Sequence, residues 1–583
     1  MPQEIPGREF SEAMLRRRRR RRSRWRPGRL HVPSVVFLTL WLMSPVQAQQ
    51  TIRPEVDPGQ VQKRIPLPSE RREPPEPLRL PTPPEASPPA GKLHFVLAGV
   101  VLDGNTVFDA AALASTYEDY LARDIDVSTV ATILQRITAK YRDQGYFLSR
   151  AVALPQSIDR GILRIKVIEG YVERVTFRGA TSGEARLRPY LDQVTANRPL
   201  RLDTLERAIL LVNDLPGLHV ASSLEPVNEQ AGAYELVLRL DYRPVAGFAS
   251  LDNRGPESLG PWEAQLSASA HSLLDSLDRA QLSFFTVPAE PRELLSTELF
   301  YEHPIGSDGA AAALSVARSD LRPQGNLAPL ALKGTAMRYV ARLTYPLIRR
   351  REQSLWLGGI FDVFDSREHE QGALLFDDRL RVLRALVNYS INDGLGGANA
   401  FYGEASQGLT ILGASRTGAA DLSRSNGHPD FTKVAVTATR QQALGGDWSV
   451  QLGLAGQKAA EPLLTSEQFP LGGSRFGRAY DPAEVTGDDG LAGSLELRYG
   501  RSRGNAWLGA YQIYGFYDLG TVWNMAVGDA TRRQSLASLG GGVRVTLTRE
   551  VTAAIEVAQP LTRTPAAQGN KTARIFGSLS ASF

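Results

Sequence analysis

The chain reads as two consecutive α+β modules of order β-α-α-β-β, followed by an all-β transmembrane barrel of about 16 antiparallel strands. Three observations carry this. Helical periodicities framed by strand-like segments occur twice between residues 93 and 243. From Gly247 to Phe583, 337 residues alternate apolar and polar side chains in short segments with no helical interruption. At about 21 residues per strand and connection this makes about 16 strands, a porin-like number. An export leader precedes both parts, so the alternation reads as a membrane wall and not as a soluble sandwich.

The leader occupies residues 1–48. An unbroken basic run, Arg16 to Arg22, precedes a short apolar core from Val35 to Met43, and Val46-Gln47-Ala48 supplies the small residues of a cleavage site. These parts predict a signal peptide cleaved after Ala48, with Met14 as a second candidate start. The leader holds eleven Arg and three Glu, so the formal charge of +5 becomes about −3 without it. No nucleic-acid partner is therefore expected. The chain has no cysteine, which excludes disulfides and suits passage through an oxidising periplasm. No later stretch reaches 18 uninterrupted apolar residues. Helical membrane spans are not expected, whereas barrel strands need only about ten alternating residues.

Residues 49–91 follow the leader. Twelve prolines fall within positions 51–90, a composition that gives an extended, semi-rigid linker. Asp57-Pro58 matches a helix N-cap and first helical position. Two alternatives stay open here, a short helix near Pro58 to Arg64 or linker throughout.

The first module spans 92–170. Leu93 to Leu102 is strand-like, Asp103-Gly104-Asn105 is a turn, and Ala110 to Leu121 is a helix candidate. A second helix starts near Asp126 or Ser128. Its residues Val130, Ile133, Leu134, Ile137 and Tyr141 recur at helical spacing, and Gly145 is its stop. Phe147 to Leu154 and Leu163 to Val167 read as strands. The second module, 171–244, repeats the order. Val172, Val175 and Phe177 mark its first strand, and Asp203 with Glu206 has capping-box spacing. Leu205, Ala208, Ile209 and Val212 share a helix face that Pro216-Gly217 ends, and strands follow near Val220 and from Tyr234 to Leu240.

The barrel spans 245–583. In its last segment Ile575, Gly577, Leu579, Ala581 and Phe583 lie on one face, and Arg574, Phe576, Ser578, Ser580 and Ser582 on the other. Two further segments stand out. Gly472-Gly473-Ser474-Arg475-Phe476-Gly477-Arg478-Ala479-Tyr480 reads as a glycine-bent loop with a cation, and Gly515-Phe516-Tyr517-Asp518-Leu519-Gly520 as a strand with a carboxylate. So wide a barrel is an open pore unless something fills it. An inward loop around 471–490 fills it if anchored, and arginine grips a carboxylate through a planar fork. Arg478 and Asp518 are the candidate pair. The residues alone leave open whether they pair or stand solvated in the lumen.

These pieces together resemble the outer-membrane transporters of two-partner (type V) secretion, TpsB, the haemolysin activator/secretion proteins. The modules resemble POTRA domains, through Leu102-Asp103-Gly104-Asn105-Thr106-Val107-Phe108, the run Tyr141 to Ala151, Leu154-Pro155-Gln156 and Val167-Ile168-Glu169-Gly170. Leu251-Asp252-Asn253-Arg254-Gly255 resembles the first barrel strand. The family's loop motif, Val-Arg-Gly-Tyr/Phe after Gly-Gly, falls on Gly477, Arg478, Ala479 and Tyr480 after Gly472 and Gly473. Gly477 and Ala479 depart from the usual Val and Gly, which puts the local packing in question. The resemblance implies that Arg478 pairs with Asp518 of the strand motif Phe516 to Gly520, and that the helix near Pro58 is a removable plug. It further implies periplasmic POTRA domains, a secreted TpsA-like exoprotein as client and outer-membrane lipid around the barrel. Phe583, which ends the last strand, reads as part of the signal to the barrel-assembly machinery or as a membrane-interface aromatic.

Catalytic chemistry finds little support. Neither Gly413 to Gly418 nor Gly473-Ser474-Arg475 forms a Gly-x-Ser-x-Gly elbow, and His369-Glu370 lacks the second histidine of a zinc helix. Asp488-Asp489 between glycines reads as a turn before a metal site. Seven histidines and no cysteine leave few soft ligands. No enzyme, cofactor or metal is expected, and with no ATP motif the energy for export is expected from folding of the client outside. The alternative function is an outer-membrane protein insertase of the same superfamily, whose members usually carry three or five modules. A passive porin needs no folded modules.

Overall fold

The computed structural model describes residues 53–65, 94–179, 183–274, 276–505, 508–525 and 532–583. The expected leader and most of the proline linker lie outside the described residues. Of the two alternatives near Asp57, the helix is present: α1 spans Pro58–Arg64, and the Asp57 carboxylate caps it by accepting from Gln60 N–H at 2.8 Å.

In the first module β1 (His94–Val96), β2 (Gly99–Asp103), α2 (Ala110–Ala114), β3 (Asp124–Asp126), α3 (Val127–Asp143), β4 (Arg150–Val152) and β5 (Ile162–Ile168) follow in order. The expected strand Leu93 to Leu102 is divided. β1 pairs with β3, whereas β2 runs parallel to β5 in a sheet of order β2-β5-β4. Between them Leu97 is fully buried and bonds to Arg123, while Ala98 bonds to Gly161. Helix α2 stops early because Leu113 C=O accepts from both the amide and the hydroxyl of Thr116. β4 is shorter than expected, since Ser149 N–H is taken by a turn to Tyr146 and Pro155 has no N–H to offer. α3 presents the expected face, with Ile133, Ile137 and Tyr141 in the core against Leu163, Ile165 and Val167.

The second module runs β6 (Tyr171–Arg178), α4 (Glu184–Ala196), α5 (Leu202–Asn213), β7 (Leu218–Asn228) and β8 (Ala233–Tyr242), with sheet order β6-β8-β7. Its helices bury Leu191, Val194, Leu205 and Val212 against Val172, Leu236 and Leu238. The expected capping box is absent. Arg201 holds the N-cap position without a side-chain cap, and Asp203, one residue into the helix, binds the Arg201 guanidinium and Thr204 N–H. This module seats on the barrel rim. Asp214 accepts a forked pair from Arg349 at 2.7 and 2.8 Å, and Arg207 donates to the carbonyls of Asp308 and Pro346.

Sixteen antiparallel strands, from Val245–Asp252 to Arg574–Ser582, close into one barrel. The seam between first and last strands is short, Ser578↔Asp252 to Ser582↔Phe248. It is extended at one end by reciprocal bonds between Gly247 and Phe583, and at the other by the Asn253 side chain. That amide donates to Ile575 C=O at 3.1 Å and accepts from Gly577 N–H at 2.7 Å, standing in for a strand's peptide group. The alternation sorts inside from outside. Ile575, Leu579 and Phe583 are 68%, 49% and 75% exposed, whereas Phe576 is 4% exposed. Outward leucines recur around the wall, among them Leu266, Leu299, Leu343, Leu383, Leu495 and Leu539. So large an apolar surface belongs in lipid. Among the described residues no helix is long and apolar enough to span a membrane.

Candidate functional site: the occupied lumen

Among the described residues two segments lie inside the barrel. One is α1. The other is Ala460–Asp488, which connects the strands Trp448–Ala459 and Asp489–Asn505 and carries its own two-stranded sheet, Phe469–Leu471 with Val485–Gly487. Glycines shape the tip of this loop. Gly472, Gly473 and Gly477 have φ of 107°, 87° and 85°, conformations that side chains with a Cβ rarely adopt. At Gly477 a Cβ would stand 2.4 Å from Leu536. A valine at this position would be strained by the backbone conformation and would require Leu536 to shift. Ala479 is fully buried with Leu471 and Tyr480, and its carbonyl accepts from Arg574. Tyr480 Oη lies 3.1 Å from the carbonyls of Ala537 and Arg563.

The tip presents Arg478 to the wall. Its guanidinium forks onto Asp518, Nε to Oδ2 at 3.0 Å and Nη2 to Oδ1 at 2.9 Å. The same Oδ2 accepts the backbone N–H groups of Gly477 and Arg478, and hydroxyls of Ser494 and Ser538 complete the shell of the fully buried Asp518. Of the two states left open by the residues, the paired one is present. Beyond the expected pair, Arg478 Nη1 also reaches Glu496 at 2.5 Å and lies 3.7 Å from Glu556. The guanidinium stacks on Phe516, 3.5 Å from its centroid, and Arg544 stacks in the same way on Tyr514. These rings rest on glycines. A Cβ at Gly540 would stand 2.5 Å from Phe516, and one at Gly542 2.7 Å from the Tyr514 hydroxyl. Gly520 likewise receives Leu471 of the loop, 2.6 Å from where its Cβ would stand.

Asp488, read as part of a turn, is instead a buried anchor. It pairs with Arg424 and accepts from Leu463 and Met525 N–H groups, each at 2.8 Å, while Asp489 opens the next strand and pairs with Lys458. Phe583 lies apart from these groups. It closes the seam with Gly247, and its ring would overlap any Cβ there, at 2.2 Å.

Sequence reasoning missed Glu496, Glu556, Ser494 and the Gly540-Gly541-Gly542 run. The alternation Leu495-Glu496-Leu497 puts Glu496 on the lumen face, but only the register, Glu496 opposite Phe516 and Ser494 opposite Asp518, sets it level with Arg478.

Comparisons with known proteins agree with this geometry. Residues 237–545, just over half the chain, match the family described as haemolysin secretion/activation protein ShlB/FhaC/HecB, and residues 95–170 match the POTRA domain, ShlB-type. The heme/hemopexin transporter protein HuxB of Haemophilus influenzae (strain 86-028NP) is 22% identical over 424 residues, 70% of this chain and 73% of its own length. The outer membrane transporter CdiB of Dickeya dadantii (strain 3937) is 22% identical over 80% of this chain and 83% of its own. Among solved structures, CdiB from Escherichia coli superposes with a TM-score of 0.68 at 18% identity, covering 86% of this chain and 93% of that one. BamA from Haemophilus ducreyi lacking POTRA domains 1–3 shares the fold at a TM-score of 0.50 and 13% identity, covering 84% of this chain and 100% of that one. The chain therefore belongs to the haemolysin secretion/activation (ShlB/FhaC/HecB) family, the TpsB transporters of the outer membrane, which hold POTRA domains in the periplasm and secrete partner exoproteins through the barrel.

Proposed function

We propose that this transporter serves one dedicated exoprotein, that its lumen is shut by two removable parts, and that it catalyses no reaction. The observation that carries this is the way the lumen is filled. Besides local apolar clusters, the loop tip and α1 are held by ion pairs and hydrogen bonds to the wall, which exchange for water one by one. Gln62 of α1 is buried, yet its amide has no hydrogen-bond partner among the described residues. Such a group lowers the net grip on the helix.

In this reading the signal peptide (1–48) is removed and residues 49–91 tether the plug. POTRA 1 (92–170) and POTRA 2 (171–244) receive the unfolded client, and the barrel (245–583) conducts it. The edges of the β6-β8-β7 sheet offer backbone groups to which an extended client adds as a further strand. The Arg478–Asp518 pair locks the loop until the client arrives. Phe583, with its outward ring, is the mark read by the barrel-assembly machinery. No cofactor enters, and folding of the client outside supplies the pull.

The test is secretion of a candidate exoprotein encoded beside this chain, with and without it, and with Arg478→Ala and Asp518→Ala variants whose outer-membrane levels are checked. The reading requires secretion to depend on this protein and to fall in both variants at normal levels. Unchanged secretion with loss of other barrel proteins from the outer membrane would replace it with the insertase reading, which the BamA-like fold keeps as the second.

A further inference from the structure

The loop is fastened at another place, in the limb that leads to Arg478. Its descending limb makes a short turn, Thr465–Glu467, where every side chain is buried. Glu467 forks with Arg384, Oε1 to Nη2 at 2.9 Å and Oε2 to Nη1 at 3.3 Å, and its Oε2 also meets Lys433 Nζ at 2.5 Å. Its carbonyl accepts from Lys433 and from Gln457. Arg384 is tied in turn to Asp362 and Glu404. Glu467 thus grips the strands Ala373–Asn392, Thr432–Gly445 and Trp448–Ala459, whereas Arg478 grips Asp489–Asn505 and Leu508–Trp523. The two fastenings hold different walls.

The turn that carries Glu467 touches the plug helix directly. Gln60 of α1 donates its amide to Thr465 C=O at 2.5 Å and lies 3.4 Å from Gln468 C=O. Gly59 is pressed on the same turn, where a Cβ would meet Ser466 at 2.5 Å. Lys63 faces the lumen cavity of about 530 Å³ that Arg384, Glu404, Lys433 and Gln468 also line. Arg478, by contrast, has no bond to α1 among its contacts, all of which lie within the loop tip and wall. We infer that Glu467 is a positioning residue whose latch to Arg384 and Lys433 holds the plug helix, and that the Arg478 lock holds the loop tip independently of the plug.

This division rests on the reading of α1 as a removable plug. The absence of cysteine from the chain allows a test on the full protein in liposomes. Val56→Cys places a thiol at a position 1% exposed while the helix is seated, and its alkylation rate reports departure of the helix. Adding Glu467→Gln, which keeps the shape but loses the charge pairing, should speed alkylation at least about tenfold, because breaking a buried pair leaves its partners uncompensated. Gln60→Leu, which leaves Glu467 intact, should also speed it several-fold, and it serves if Glu467→Gln assembles poorly. Arg478→Ala should change the rate by less than about twofold. A rate raised equally by Arg478→Ala, or Val56→Cys still protected in both other variants, would overturn the division. If Val56→Cys alone reacts as fast as the exposed Arg53→Cys, the plug reading itself fails.

Discussion

Arg478→Ala removes the most connected side chain of the loop tip. The guanidinium makes two bonds to Asp518, one each to Glu496 and Ser494, and stacks on Phe516. Glu496 keeps Arg498 and Arg544 after the change, so the cost falls mainly on Asp518, which is fully buried. Leaving such a carboxylate without its cation costs about 3–5 kcal/mol. The backbone and hydroxyl donors around Asp518 remain, which argues for the lower end. A loss of about 3 kcal/mol makes local opening of the tip roughly 150-fold more frequent. Hydrogen exchange reads this directly, since the N–H groups of residues 477 and 478 both donate to Asp518. Both amides should exchange about 100-fold faster in the variant, and a combined Arg478→Ala/Asp518→Asn protein should open far less than the product of the single effects. Exchange within about threefold of the parent, or strictly multiplicative singles, would refute a buried ion pair as the fastening of the tip.

Three other perturbations follow from the same geometry. Gly540→Ala drives a methyl to 2.3 Å from Val557 C=O and into Phe516, so it should loosen the tip by about 1–3 kcal/mol with every charge in place, seen in the same amides. Asn253→Ala deletes both side-chain bonds that lengthen the barrel seam, and should lower the unfolding temperature of the detergent-solubilised barrel by weakening the seam about 1–2 kcal/mol. In the first POTRA domain, bonds from the Thr129 hydroxyl, the Thr129 N–H and the Ser128 hydroxyl hold the Asp126 carboxyl at about 2, below its ordinary 3.8. A lowered folded value makes this cap stabilising above the ordinary value, with the benefit lost as pH falls through about 2. The protection of Thr129 N–H, taken relative to the intrinsic exchange rate at each pH, should therefore fall on acidification, and Asp126→Ala should abolish that fall.

The barrel and the modules were legible because their signals are periodic. Alternation over 337 residues pointed to a barrel of about 16 strands, and apolar spacing together with cap and stop residues located α3 and α5. Boundaries set by single hydrogen bonds were not legible. The break at Leu97-Ala98, the early end of α2 at Thr116 and the displacement of the cap from Asp203 to Arg201 each turn on where one polar group finds its partner. In the lumen, Arg478 and Asp518 were found by motif and residue type. Glu467, Arg384 and Lys433 were not, because they lie on the inward loop and on two separate strands and meet only when the loop enters the closed barrel.

The most direct measurement is translocation by the purified chain in liposomes, presented with its unfolded partner exoprotein and no nucleotide. The account predicts that the partner crosses, becomes protease-protected and folds on the far side, and that Asp518→Ala impairs this. Passage that requires a nucleotide, or membrane insertion of unrelated barrel proteins with no passage of the partner, would contradict it.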